Sequence, residues 1–183
     1  MDLIPLKLKS ISKIVGNDDL ALLELVTNDE LKQLSVVCES TMIRQFAMRL
    51  SNVPERHRLL PEVLWAAFGE GKHEDMRIIF ANYHDGEYMV ILFDDTEGLQ
   101  WPLRASDAVL LSLVAKIPVF VHQKVIDRCG SPVDSTGKGV VLPIQLLPSN
   151  MLHKELDKAV AEENYEKASL IRDELKKREQ QSS

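Results

Sequence analysis

The stretch from Tyr88 to Val121 constrains the fold most. Tyr88-Met89-Val90-Ile91-Leu92-Phe93 is rich in β-branched and aromatic residues and lies between Gly86 and Asp94-Asp95, which predicts a buried strand. A short second strand follows near Leu99 to Leu103. Then a polar cluster, Arg104-Ala105-Ser106-Asp107, gives way to the apolar run Val109 to Ala115, a helix whose first turn Ser106 or Asp107 can cap. Ile117-Pro118-Val119-Phe120-Val121 reads as a strand entered through a proline, tolerated at a strand's first residue or on an edge. Strand, turn, helix and strand make an α/β core on which the remaining segments must pack.

The segments before it are mostly strands. Ile4, Leu6 and Leu8 alternate with polar residues and proline, Leu20 to Val26 and Leu31 to Val37 follow across polar turns, and the three predict an antiparallel meander. From Ser40 to Leu50 the period changes. Ile43, Phe46, Ala47 and Leu50 form one helical face with Ser40 or Thr41 as cap, while Arg44 and Arg49 fall off that stripe. Pro61 opens a shorter helix with Val63, Leu64, Ala67 and Phe68 as its buried face and Gly69 as its stop. Met76 to Tyr83 and Glu87 to Phe93 flank His84-Asp85-Gly86 as a hairpin, and Val125 to Gly130 is a short helix stopped by glycine.

The expected fold class is α+β: a mixed, largely antiparallel sheet with a few packed helices, followed by a C-terminal helical hairpin. A doubly wound parallel sheet fits less well, because strands outnumber helices and several are joined by tight turns. Residues 1–140 form the α+β domain, 141–148 a linker or edge strand, and 149–183 the hairpin. In the hairpin Leu152, Leu156, Ala159 and Val160 share a face, Asn164 can cap the second helix, and Ala168, Ile171 and Leu175 resume the period. Glu163 with Lys167, Asp173 with Lys177 and Glu174 with Arg178 have the favourable i,i+4 spacing, worth about 0.2–0.5 kcal/mol each. So short a hairpin buries too little to stand alone, so it must dock on its own domain, a copy of itself or another protein.

Charge limits the function classes. A formal charge of −6 and a pI near 5.4 give no global pull toward phosphate backbones, so any nucleic-acid contact must come from a local patch. Arg44, Arg49, Arg56 and Arg58 form the one basic cluster, for which a solvated helix face and loop is the simpler account. Two cysteines, Cys38 and Cys129, lack CxxC spacing and imply a reducing compartment. Met1 to Val15 carries Lys7, Lys9 and Lys13 among its apolar residues, unlike a signal peptide, and no run approaches the roughly 20 apolar residues that span a bilayer. The expectation is a cytoplasmic protein without a membrane contact. Ser135-Thr136-Gly137-Lys138-Gly139 lacks the spacing of a phosphate loop.

Hydrolysis at an enzyme site needs carboxylates that hold divalent metal, or an acid/base pair of the histidine type. Glu39, Glu62, Asp94, Asp95 and Asp107 supply carboxylates without a recognised metal-ligand spacing, and the five histidines are scattered. Turn and cap roles account for these carboxylates equally well.

Two segments resemble known families. Arg104, Ser106-Asp107-Ala108, the apolar helix and then Pro118, Phe120 and Val121 resemble the signature of the bacterial bifunctional nuclease domain family. Pro102 stands where that family has its first Asp, Ala105 replaces its Pro, Glu62 keeps a carboxylate at an Asp position, and Glu39 lies two places from a Glu position held here by Thr41. The tail is similar to the UVR motif of the excision-repair subunits UvrB and UvrC, through Leu156, Ala159, Tyr165-Glu166-Lys167-Ala168 and Leu170-Ile171-Arg172-Asp173-Glu174.

The first resemblance implies a nuclease cleaving DNA or RNA with Mg²⁺ or Mn²⁺, the metal ligands being unassigned. Asp107, Glu62 and Glu39 would be its catalytic carboxylates, and Arg104, Arg44, Arg56 and Arg58 its nucleic-acid contacts. The second implies a protein partner in a repair or stress-response complex, contacted through Tyr165, Ala168, Ile171 and Arg172. A homo-oligomer is expected. The alternative is a catalytically silent adaptor of the same fold that works through its UVR contacts.

Overall fold

The computed structural model describes residues 2–15, 17–51, 53–68, 73–133 and 144–181. Gly16, the helix stop expected at Gly69, the Ser135-Thr136-Gly137-Lys138-Gly139 stretch and part of the 141–148 segment lie outside the described residues. Two compact units are present, Met1–Tyr83 with Tyr88–Val141, and His84–Glu87 with Leu142–Ser183.

The first unit is built on an eight-stranded mixed sheet. Its strands are β1 (Leu3–Ile14), β2 (Asn17–Thr27), β3 (Lys32–Glu39), β4 (Met76–His84), β5 (Glu87–Asp94), β6 (Gln100–Leu103), β7 (Val119–His122) and β8 (Ser131–Pro132), in the spatial order β6-β5-β4-β7-β1-β2-β3-β8. The expected meander forms, with β1 antiparallel to β2 and β2 to β3. The turn between β2 and β3 is shaped by Asp29, whose Oδ1 accepts the Leu31 amide at 3.1 Å. β7 inserts between β4 and β1, parallel to β4 and antiparallel to β1. This strand is therefore central, and Pro118 is tolerated because it precedes the first strand residue and uses only its carbonyl, which accepts the Ile78 amide at 2.9 Å.

Four helices complete the unit: α1 (Thr41–Leu50), α2 (Leu60–Phe68), α3 (Ala105–Ala115) and α4 (Gln123–Cys129). α3 is apolar around most of its circumference and buries Ala108, Val109, Leu110 and Ala115. It joins one core with Ala21, Leu23 and Leu25 of β2, Leu34, Val36 and Cys38 of β3, Phe46 of α1, and Ile78 and Phe80 of β4. The Tyr88 hydroxyl on β5 donates to the Ser35 carbonyl on β3 at 3.2 Å, although four strands intervene in the sheet order, so the sheet is strongly curled around this core.

Several expectations change. The strand at Tyr88–Phe93 is only partly buried, with Val90 inside and Met89 open, because just the short β6 lies beyond it. On α1 the inward stripe is rotated: Phe46 and Arg49 are buried, while Ala47 and Leu50 are exposed. On α2 the expected buried face is open, with Val63 and Leu64 exposed and Phe68 76% accessible. Trp65 leans on the core instead, because Glu62 is tied to Arg49 and turns that side inward. Ser131 and Pro132 pair with β3 rather than belonging to a loop.

The second unit contains α5 (Ser149–Ala161) and α6 (Tyr165–Gln181). Leu152, Glu155 and Ala159 on α5 and Ala168, Ile171 and Leu175 on α6 are buried at helical spacing. Asn164 caps α6 as expected, accepting the Lys167 amide at 3.1 Å. Lys167 departs from expectation: its ammonium lies 2.7 Å from Glu155 on the other helix. Glu174 and Arg178 pair at 2.9 Å as expected. Ile144–Leu146 is a 3-10 turn, so no edge strand occupies the described part of 141–148.

The turn glycine Gly86 has φ +79, and a Cβ there would lie 2.3 Å from the Leu147 carbonyl oxygen. Gly98 has a comparable φ of +67 with open space around it. Gly98→Ala therefore carries only the conformational cost, about 1–2 kcal/mol, whereas Gly86→Ala adds a backbone collision. Thermal unfolding of the two variants is expected to show the larger loss at Gly86. No helix among the described residues is long and apolar enough to cross a membrane.

Candidate functional site

Glu39 closes β3 and Arg104 follows β6, so the chain delivers both to the region where α1 and α3 begin. Arg104 is extended, with φ −66 and ψ 141, and occupies the N-cap position of α3. The anticipated cap by Ser106 or Asp107 does not form: α3 has no side-chain cap. Asp107 instead accepts from Arg104 Nε at 2.7 Å through Oδ2, a pair with the guanidinium 72% and the carboxylate 37% accessible. It retains the first-turn position that favours negative charge.

Glu39 stands beside this pair. Its Oε2 accepts from the Thr41 hydroxyl at 3.5 Å. The hydrogen bond that Arg104 donates to Asp107 first, and then the charges of Asp107 and Glu39, hold the Arg104 guanidinium above its ordinary range. Both carboxylates also act on Cys38, whose thiol is pushed up to about 12 by burial first and by Glu39 and Asp107 after it. Glu39, from a distant part of the chain, thus joins the neighbouring pair Arg104 and Asp107 in one solvent-reachable group of two carboxylates and a guanidinium near the buried Cys38 thiol.

That thiol gives a pH test. It stays protonated in the folded protein while an unfolded cysteine ionises from about pH 8.5, so its contribution to stability is full below that pH and is lost as the pH rises toward about 12. Cys38→Ser is expected to flatten the fall in stability between pH 9 and pH 10.5 seen by urea titration.

Glu62 is placed differently. Its Oε2 accepts from Arg49 Nη2 at 2.8 Å, with the side chains 2% and 14% accessible for Arg49 and Glu62. Arg49 Nη1 also donates to the Gln45 carbonyl and to Gln45 Oε1, each at 2.9 Å. Arg49 was missed because its charge suggested solvent, yet it lies three residues after Phe46 and seven after Met42, on the inward side of α1. Arg44 and Arg58 are exposed and Arg56 half-buried, on α1 and the 3-10 turn Pro54–Arg58.

Among the described residues no group of three or more His, Cys, Asp or Glu side chains is arranged to hold a metal ion. The Asp107 and Glu39 carboxylates are both reachable by solvent.

In the second unit, Tyr165 and Arg172 are exposed, whereas Ala168 and Ile171 are buried. A groove of about 720 Å³ is lined by Leu156, Asp157, Val160, Tyr165, Ala168 and Arg172. It combines apolar floor with one acidic and one basic residue.

The family model of the bifunctional nuclease domain matches residues 22–134, and that of the UvrB/UvrC motif matches residues 152–181. No curated protein matches the chain. The first match runs from within β2 through β8 and includes Glu39, Glu62, Arg104 and Asp107; the second spans nearly all of α5 and α6.

Proposed function

Because the chain belongs to the bifunctional nuclease domain family and carries a UvrB/UvrC motif, we propose that it hydrolyses phosphodiester bonds of DNA or RNA at the Arg104, Asp107 and Glu39 constellation. The observation that carries this reading is the approach of the Glu39 carboxylate, at the end of β3, to the solvent-reachable Arg104–Asp107 pair at the start of α3.

A substrate phosphate competes for the Arg104 guanidinium, whose fork of donors matches phosphate oxygens. Taking up phosphate releases Asp107 Oδ2 from Nε, and the freed carboxylate accepts the proton of the attacking water. Water adds at phosphorus, the ester P–O bond breaks, and the leaving oxygen takes a proton from solvent. Asp107 and Glu39 would hold Mg²⁺ or Mn²⁺, which supplies charge neutralisation for the phosphoryl oxygens.

The hairpin tethers this activity to a protein partner in a repair or stress-response assembly through the groove at Val160, Tyr165 and Arg172. The uncharged open face of α2, with Leu60, Val63, Leu64 and Phe68, supports a homo-oligomer. Two free thiols suit the cytoplasm. Glu62 is engaged by Arg49, which favours the second reading of a silent adaptor if Glu62 has to reach substrate. Incubating purified protein with plasmid DNA or single-stranded RNA, with Mg²⁺, Mn²⁺ or chelator, separates the two readings. Metal-dependent cleavage supports the nuclease, and equal background in every lane supports the adaptor.

A further inference from the structure

Trp101 lies three residues before Arg104 in β6, the last strand on its side of the sheet. It pairs across to Leu92, and Leu103, two residues on, packs against the core. By the period of two, Trp101 shares that face with Leu103, the face turned toward the core to which α3 also contributes. It therefore stands at the rim of the site's own side of the sheet, with 41% of its surface open and Leu99, before it, 46% open. Strand addition does not account for this exposure, because Pro102 in the middle of β6 supplies no amide to a further strand.

Extended backbone places the Trp101 and Arg104 Cα atoms about 10 Å apart, within the reach of adjacent nucleotides on one strand. We propose that Trp101 is a stacking platform for an unpaired base of the substrate whose phosphate Arg104 holds, so that the site takes single-stranded nucleic acid. Both faces of a duplex base are already covered by its neighbours, and the indole offers a paired strand nothing. Stacking also suits a protein of charge −6, since it adds affinity without positive charge. The cleavage part of this inference rests on the nuclease reading above; the stacking part does not.

The test uses the full chain with a fluorescein-labelled oligothymidylate and a fully paired, loop-free duplex of the same length, in chelator, with binding followed by anisotropy. Wild type is expected to prefer the single strand. Trp101→Ala is expected to weaken that binding about tenfold or more and to leave duplex binding unchanged. Trp101→Phe, which keeps a flat ring, is expected to retain most of it. Single-strand binding equal in wild type and a folded Trp101→Ala, or no binding at all, overturns the proposal. Trp101-dependent binding without metal-dependent cleavage leaves the platform standing and removes the nuclease reading. Cleavage that persists unaltered in Trp101→Ala removes the platform alone.

Discussion

Replacing Glu62 by Gln lowers the stability of the protein by about 3–5 kcal/mol, the scale for breaking one side of a buried ion pair. The variant leaves the Arg49 guanidinium, 2% accessible, without its counter-charge. The pair is costly from the start: among the described residues Arg49 Nε and Glu62 Oε1 are buried without a hydrogen-bond partner. Replacing both residues by apolar ones, Arg49→Met with Glu62→Leu, is therefore expected to recover most of the loss, because it removes two desolvated charges together. Urea unfolding of wild type, Arg49→Met, Glu62→Leu and the double variant gives the coupling directly. If Glu62→Gln unfolds at the wild-type midpoint, the pair does not secure α2 against α1. Lost nuclease activity in this variant would report the fold as much as the chemistry, so Glu62 is a poor position at which to test catalysis.

On the nuclease reading, Asp107→Asn is expected to lower the rate of phosphodiester cleavage about 10²- to 10⁴-fold, the scale of a lost general base, while stability changes little. Its pair with Arg104 is solvent-exposed, and such pairs are worth about 0–1 kcal/mol. Asn can still accept from Arg104 Nε but cannot take up a proton from water. Arg104→Lys keeps the charge and loses the planar fork, so its main effect is on KM. Initial rates at several substrate concentrations distinguish the two variants. A small rate change in Asp107→Asn would assign Asp107 to positioning Arg104 only.

The sequence showed the architecture through its periodicities, and its polar interruptions marked where the candidate residues stand. The meander, the α3 helix and the Asn164 cap were legible because local alternation, an abrupt polar-to-apolar boundary and a single capping residue determine them locally. The central position of β7 was not, since Pro118 suggests an edge and only the parallel pairing with β4 overrides it. Helix faces misled wherever a charge is buried. Arg49 and Glu62 read as surface residues, yet together they turn both α1 and α2 and leave Leu50 and Phe68 outside. Arg104 with Asp107 was readable as a neighbouring pair, but the approach of Glu39 from β3 depends on long-range strand order. Trp101 carried no pattern of its own, because nothing in a four-residue edge strand distinguishes an inward ring from an open one.

The most direct measurement of the central claim is the initial rate of single-stranded RNA and plasmid DNA cleavage by wild type and Asp107→Asn in Mg²⁺, Mn²⁺ and chelator, with circular dichroism confirming that both are folded. The account predicts cleavage by wild type that needs metal and falls at least about 100-fold in Asp107→Asn. Identical trace rates in the two proteins, unaffected by chelator, would contradict it and leave the protein as an adaptor acting through its hairpin.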